Sequence, residues 1–308
     1  MPTPSHADHL EELRRRVNKR LSELAVEVAG RDPGLSDAIS SALTAGGKRL
    51  RPLLTALVCE DLGGPLAPAI DAGCAAEMVH TASLILDDLP CMDDARMRRG
   101  QPATHRAFGE DVAILAAIAL LSGAFSTVAT LRGTDAVTRN ELTKILSGAV
   151  GTRGLVAGQF RDLRNAAGDK GADPEAVNAL KTGALIGASV AMGAAIARAD
   201  TMRKRALADF AEHLGHAFQL YDDLLDTSGD PLAIGKDIGK DSAKATLLQQ
   251  EGTAGTQVRL NQHLDAAHAT LESVFGRDCR MSSALDGVFQ GQAALIVRTA
   301  RTQGVSLS

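Results

Sequence analysis

Large rings are scarce in this 308-residue chain, which has no tryptophan, one tyrosine and seven phenylalanines. Few bulky side chains are therefore available to wall off an internal cavity. Cysteine is sparse too. Cys59, Cys74, Cys91 and Cys279 form no CxxC pair and match no zinc spacing. Without a disulfide framework, a reducing cytoplasm is the simpler expectation. Neither sign of charge dominates: 33 basic and 37 acidic residues leave a net charge of −4. That balance gives no global reason to expect nucleic acid or an anionic membrane as partner. Long hydrophobic runs are missing as well. The longest, around Val112 to Leu121, is too short to span a bilayer, so no integral membrane segment is expected. The opening stretch from Met1 to Arg20 is polar and charged, unlike a secretory signal. There is no composition break, low-complexity tract or long linker, and the chain reads as one domain over 1–308.

What is present is helical periodicity. Leu10, Leu13, Val17, Leu21, Leu24 and Val28 recur at three- and four-residue steps and define one apolar stripe. Gly30 to Gly34 breaks it. Further helices are expected at about Arg51 to Leu62, Pro68 to Asp88, 110–132, 135–163, 174–199, 201–226, 256–275 and 280–302. Glycine- and proline-containing breakers separate them. Alternating β-branched runs are nearly absent, so the fold class is all-α. The segments Ala113 to Phe125 and Ala184 to Ala197 are apolar almost all round, which suits the centre of a bundle or a subunit interface.

Two acidic clusters stand at the ends of apolar runs. The first is Asp87-Asp88-Leu89-Pro90-Cys91-Met92-Asp93-Asp94, and the second is Asp222-Asp223-Leu224-Leu225-Asp226. Asp222 and Asp226 share one helix face, about 6 Å apart along the axis. Such carboxylates repel unless cations lie between them, and Mg²⁺ with oxygen ligands and phosphate suits the pattern. Asp87 and Asp93 fall off-face in an ideal helix. Pro90 cannot continue the ladder, so a local break should swing Asp93 back. Placement after buried runs argues against mere solubility.

The cationic complement begins with Gly46-Gly47-Lys48-Arg49-Leu50-Arg51-Pro52, which is not a phosphate-loop pattern but can grip a diphosphate directly. Arg98-Arg99-Gly100 follows the first acidic cluster. Lys181-Thr182-Gly183 is expected to open a helix, where amide groups favour anions. Lys236 and Lys244 follow the second cluster. His80 lies two turns before Asp87, and Gln219 three residues before Asp222. Together these groups describe a cavity with two acidic walls, several cations and an apolar interior.

From about Gly46 to Thr246 the sequence resembles the trans-prenyltransferases in motif order: GGKRLRP, DDLPCMD with its trailing RRG, GQFRDL, KTG, FQLYDDLLD, then GKD and AKAT. The resemblance implies an isoprenoid-synthase-type helical bundle around a central cavity, working as a homodimer. It implies that Lys48, Arg51, His80 and Arg99 hold isopentenyl diphosphate, and that Arg98, Lys181, Thr182, Gln219 and Lys236 hold the allylic diphosphate. Asp87, Asp88, Asp93, Asp222, Asp223 and Asp226 would bind or order about three Mg²⁺ ions, with Gln159 and Asp162 in support. Asp87, Asp88, Asp93, Lys181, Thr182, Gln219, Asp222 and Asp223 are the candidates for the catalytic group. Where many members carry Gly-Asp-Ala-Leu, this chain has Ala117-Ile118-Ala119-Leu120. That departure, with CMDDARMRRGQPATH and GLVAGQFRDL, resembles bacterial carotenoid-pathway geranylgeranyl diphosphate synthases.

The implied reaction condenses isopentenyl diphosphate with dimethylallyl, geranyl or farnesyl diphosphate, giving twenty carbons. Chain length would be set below Asp87 by the small residues Ala82 and Ser83, with Met78 and Val79 deeper and Leu120 to Phe125 facing them. The alternatives are a farnesyl diphosphate synthase, a class I terpene cyclase, and a non-catalytic helical regulatory subunit. A cyclase leaves Lys48, Arg51, His80 and Arg99 unexplained, and a regulatory subunit should have lost motif residues.

Overall fold

The computed structural model describes residues 6–166, 174–227, 247–277 and 279–289. The first apolar stripe becomes α1 (His6–Ala29), which buries Leu13, Val17, Leu21 and Leu24 and ends at Gly30, where φ is +68°. After α2 (Pro33–Thr44) the chain turns through Arg49, whose φ of 51° is left-handed, into α3 (Leu50–Asp61). Helix α4 (Leu66–Asp87) is apolar on nearly every side and packs against α1, α2, α3 and α6. A two-stranded hairpin, β1 (Met97–Arg98) and β2 (Gln101–Pro102), is the one sheet among the described residues. Arg99 and Gly100 form its two-residue turn with φ of 52° and 77°. That double left-handed geometry matches the twist of the paired strands.

Helices α5 (Thr104–Phe108), α6 (Glu110–Ala129), α7 (Ala136–Val150) and α8 (Leu155–Ala166) follow. The expected single helix over 135–163 is thus two. Gly151 to Gly154 form the break, and a Cβ on Gly154 would lie 2.1 Å from the carbonyl oxygen of Ala149. Short α9 (Pro174–Asn178) runs through a π-helical turn (Ala179–Gly183) into α10 (Ala184–Ile196). Helix α10 reaches the centre of the bundle because Gly193 bears no side chain: a Cβ there would meet the Thr55 carbonyl oxygen at 2.5 Å. Thr55 Oγ1 also donates to the Ser189 carbonyl at 3.0 Å, tying α3 to α10. The long α11 (Thr201–Thr227) packs along α12 (Leu247–Phe275), and α13 (280–289) closes on α11 through Phe289.

By length and composition α4, α6 and Ala176–Ile196 could cross a bilayer, a feature hidden by the short uninterrupted apolar run. In the fold, α4 and most of Ala176–Ile196 spend that apolar surface on packing. Helix α6 leaves Ile114, Leu115 and Ile118 exposed at 41%, 55% and 57%, so it is not a central helix of this chain.

Candidate active site

The sequence builds the site at helix ends and breaks. Helix α4 stops after Asp87 because Pro90 cannot continue it. The chain then folds back: the Asp93 amide donates to the Asp87 carbonyl at 2.9 Å, and the Ala95 amide to the Asp88 carbonyl at 3.1 Å. Asp93 is thereby returned beside Asp87. Burial raises the Asp87 carboxyl to about 6, Lys181 opposes the rise, and the charges of Asp93 and Asp88 add to it.

Asp88 is almost fully buried and takes the Arg98 guanidinium on both oxygens, with Arg98 Nε at 3.0 and 3.2 Å. Lys181 Nζ lies 2.9 Å from Asp162 Oδ2 and 3.8 Å from Asp87 Oδ2. Asp162 therefore holds a cation from the π turn. That turn corrects the expectation of a helix N-terminus at Lys181. The backbone is helical on both sides of Thr182, so the turn supplies its side chains rather than a row of open amides. Gly158 makes the approach of α8 possible, since a Cβ there would meet the Lys181 amide nitrogen at 2.6 Å. Next to it, both amide atoms of Gln159 are buried without a partner. An unsatisfied buried amide in a native fold calls for an explanation, and a bound polar ligand is one.

A second group of cations gathers around α3 and the hairpin. Lys48 Nζ stands over the ring of Tyr221 at 4.9 Å and of Phe218 at 5.7 Å, which carries the Gly46–Gly47 loop onto the α11 turn before Asp222. Arg51 is lowered to about 10, first by burial; Glu77 and Asp222 oppose the shift, and Arg99 adds to it. His80 is held well below its ordinary range by burial and then by Arg51, Arg99, Arg98 and Arg49, so it sits here as a neutral ring. Arg51 Nε and Arg99 Nη1 are buried donors with no hydrogen-bond partner. On α11, Gln219 Nε2 donates to Asp223 Oδ1 at 2.8 Å.

The structure thus brings together Lys48, Arg51, His80, Asp87, Asp88, Asp93, Arg98, Arg99, Lys181, Gln219, Asp222 and Asp223. Thr182 is half-buried beside Lys181. Helix α11 runs through Asp226, whose side chain is not among the described ones, and Lys236 and Lys244 lie outside the described residues. Arg49 corrects the reading of three substrate-facing cations. It is 4% exposed and turns inward to Asn18 Oδ1 at 2.9 Å and the Ala45 carbonyl at 2.7 Å. Its Nη1 also reaches Glu77 Oε1 at 3.3 Å. Sequence reasoning missed Glu77, although one carboxylate inside the apolar stretch AAEMVHTAS was the available signal.

Met78, Val79 and Ala82 are fully buried in the core, and Ser83 is half-buried with its hydroxyl donating to the His80 carbonyl at 2.8 Å. A largely apolar cavity of about 610 Å³ runs between α10 and α11 and reaches Gln219 of the site; Gly183, Gly187, Ala191, Leu207 and Ala211 are among its other lining residues. None of the four α4 residues lines it.

The donor set fits a hard divalent cation. Asp87 and Asp93 are folded together and all donors are carboxylate oxygens, while Lys181 outweighs the repulsion of Asp93 at Asp87 and no three such side chains converge among the described residues.

Residues 32–274 match the family model described as polyprenyl synthetase. The chain is 43% identical over 271 residues to the geranylgeranyl diphosphate synthase of Pantoea ananas, covering 86% of this chain and 88% of that protein. It is 39% identical over 269 residues to the farnesyl diphosphate synthase of Geobacillus stearothermophilus, covering 86% and 90%. Among solved structures, the Helicobacter pylori geranyltransferase complexed with magnesium and isoprenyl diphosphate superposes with a TM-score of 0.81 at 25% identity, over 94% of this chain and 100% of that one. The Zymomonas mobilis FPP/GFPP synthase in its apo form gives 0.79 at 34% identity, over 90% and 98%.

Proposed function

The chain belongs to the polyprenyl synthetase family, and from that premise we propose that it is a magnesium-dependent geranylgeranyl diphosphate synthase. It joins isopentenyl diphosphate to dimethylallyl, geranyl or farnesyl diphosphate. The observation that carries this reading is the presence of two cation groups beside one pair of acidic clusters: Lys48, Arg51 and Arg99 on one side, Arg98 and Lys181 on the other. Two diphosphates need two such groups, whereas a cyclase needs one.

Lys48, Arg51 and Arg99 hold isopentenyl diphosphate beside the neutral His80. Arg98, Lys181 and Lys236 hold the allylic diphosphate, with Thr182 and Gln219 beside its reacting carbon. Asp87, Asp93, Asp222, Asp223 and Asp226 would hold about three magnesium ions, while Asp88 orders Arg98. Bound magnesium supplies charge neutralisation for the departing diphosphate. The allylic C–O bond breaks and its electron pair leaves with the diphosphate. The isopentenyl double bond attacks the resulting allylic carbon, and the proton then lost goes to the departing diphosphate. The side-chain oxygens of Thr182 and Gln219 face the transient positive charge, and the apolar surroundings keep water from it.

The exposed Ile114, Leu115 and Ile118 on α6 support a homodimer. Four unpaired cysteines support a reducing, cytoplasmic setting. We read the chain as a single all-α unit over 1–308 feeding carotenoid synthesis, on the strength of its CMDDARMRRGQPATH and GLVAGQFRDL segments.

Product chromatography with Mg²⁺, labelled isopentenyl diphosphate and each starter in turn tests this, using the purified chain alone. A twenty-carbon product is expected. A fifteen-carbon stop would favour the farnesyl alternative, and no turnover would favour a regulatory subunit. For chain length, Ala82→Phe should shorten the product to fifteen carbons. The cavity between α10 and α11 favours a second reading, in which the hydrocarbon lies there. In that case Ala191→Phe shortens the product and Ala82→Phe does not.

A further inference from the structure

Of the buried ionisable groups that the reaction itself leaves without a task, Glu77 stands out. It is 1% exposed and lies three residues before His80 on α4. Its Oε1 accepts from Arg49 Nη1 and from Arg99 Nη2, each at 3.3 Å. Both arginines have left-handed backbones, with φ of 51° at Arg49 and 52° at Arg99. Such a backbone costs non-glycine residues free energy and persists only where surrounding contacts hold it.

Arg49 is anchored on its other side to Asn18 and the Ala45 carbonyl, so the pair of ion contacts ties the hairpin tip to α1, α2 and α4. Arg99 in turn lies flat against Gly47, where a Cβ would come within 3.2 Å of its Cζ. Glu77 thereby places Arg99 against the loop that carries Lys48. Arg99 Nη1 is left buried and unpartnered, as is Arg51 Nε.

We propose that Glu77 is the positioning residue of the isopentenyl diphosphate site: its buried carboxylate fixes Arg99 between Gly47 and Arg49, so that the remaining guanidinium donor is presented to the diphosphate. The inference rests on the assignment of Arg99 to that substrate. Two neighbouring guanidinium groups repel each other, and a single carboxylate between them permits their approach within a poorly hydrated site. Burial and Arg49 both lower Arg99 while Glu77 raises it, which agrees with that balance. A preformed donor spares the ordering cost that substrate binding would otherwise carry.

The test is a double-mutant cycle on Glu77→Gln and Arg99→Gln, with Michaelis constants measured for both substrates. Each single variant should raise the constant for isopentenyl diphosphate at least about tenfold, the loss expected when one charge-assisted hydrogen bond goes. The constant for the allylic substrate should change less than about twofold, within ordinary measurement scatter on a ~1.4 kcal/mol-per-decade scale. The double variant should be no worse than Arg99→Gln alone. If Arg99→Gln leaves isopentenyl affinity unchanged, the site assignment fails. If Arg99→Gln weakens it and Glu77→Gln does not, or if the two effects simply multiply, the role of Glu77 is overturned. Equal losses for both substrates in Glu77→Gln would mean general damage and overturn it too. Should Glu77→Gln not fold, Glu77→Gln with Arg49→Met removes one cation along with the carboxylate. It should fold and still bind isopentenyl diphosphate weakly; wild-type binding in that variant would overturn the proposal.

Discussion

The cations on the two sides of the aspartate clusters are held in different ways. Arg98 grips Asp88, and Lys181 is shared between Asp162 and Asp87, so each described cation of the proposed allylic half pairs with a carboxylate. In the isopentenyl half, Arg49 and Arg99 share Glu77, Arg51 reaches its carboxylates only through space, and two guanidinium donors stay unpartnered. The allylic half carries more carboxylates than cations among the described residues, so an anion can enter only if metal ions take over the carboxylates. On the proposed assignment, the isopentenyl half has more cations than carboxylates among the described residues and would take a diphosphate directly. One half would then depend on magnesium to bind, and the other on the protein alone.

The largest expected effect breaks the metal-dependent half. Asp87→Ala or Asp222→Ala should lower turnover by about 10²–10³ while the helical fold survives, the scale seen when one transition-state charge contact is removed. Circular dichroism checks the fold, and steady-state rates at saturating Mg²⁺ check the loss. Near-normal turnover in either variant would undo the metal assignment.

A smaller effect sharpens the division. Lys48→Ala and Arg51→Ala should weaken isopentenyl diphosphate by about 10–100-fold and leave the allylic substrate little changed, as expected for one charge-assisted contact. Arg98→Ala and Lys181→Ala should do the reverse. Isopentenyl binding by wild-type protein should persist in chelator, and allylic binding should not; calorimetry with and without chelator reads both. If all four variants changed the two constants alike, the two halves would be one site.

The helices and the convergence of the acidic and basic motifs were legible in the sequence, because periodicity and motif order report directly on helices and on charge. The Pro90 break carried enough information to return Asp93 to Asp87. Three features were not legible. The fate of Arg49 depends on a left-handed φ and on Asn18, 31 residues away. The π turn at Lys181 depends on packing against Gly158, which local propensity does not encode. Glu77 looked like one acidic residue in an apolar helix until Arg99 arrived beside it from the hairpin. In each case a contact distant in sequence decided the role of a residue whose type was plain.

The smallest expected effect concerns the cost of keeping the metal site charged. Burial and its acidic neighbours raise Asp87 from 3.8 to about 6, so between those values the folded protein holds a proton that the unfolded chain has released. The unfolded state binds fewer protons there, so stability falls as pH rises. The contribution from this group is fully present below pH 3.8 and is lost as pH passes about 6. Metal-free wild-type protein should therefore melt lower at pH 7 than at pH 5 by more than the Asp87→Asn variant does. At pH 7 without metal the variant should melt higher than wild type, on the order of a few degrees for a chain of this size. Adding Mg²⁺ with a diphosphate should reverse the order, because only wild type keeps the full set of proposed metal ligands. Differential scanning fluorimetry at the two pH values, with and without Mg²⁺, reads all of these differences. A variant that melts below wild type in metal-free buffer at pH 7 would mean that Lys181 already compensates the burial of Asp87 in full.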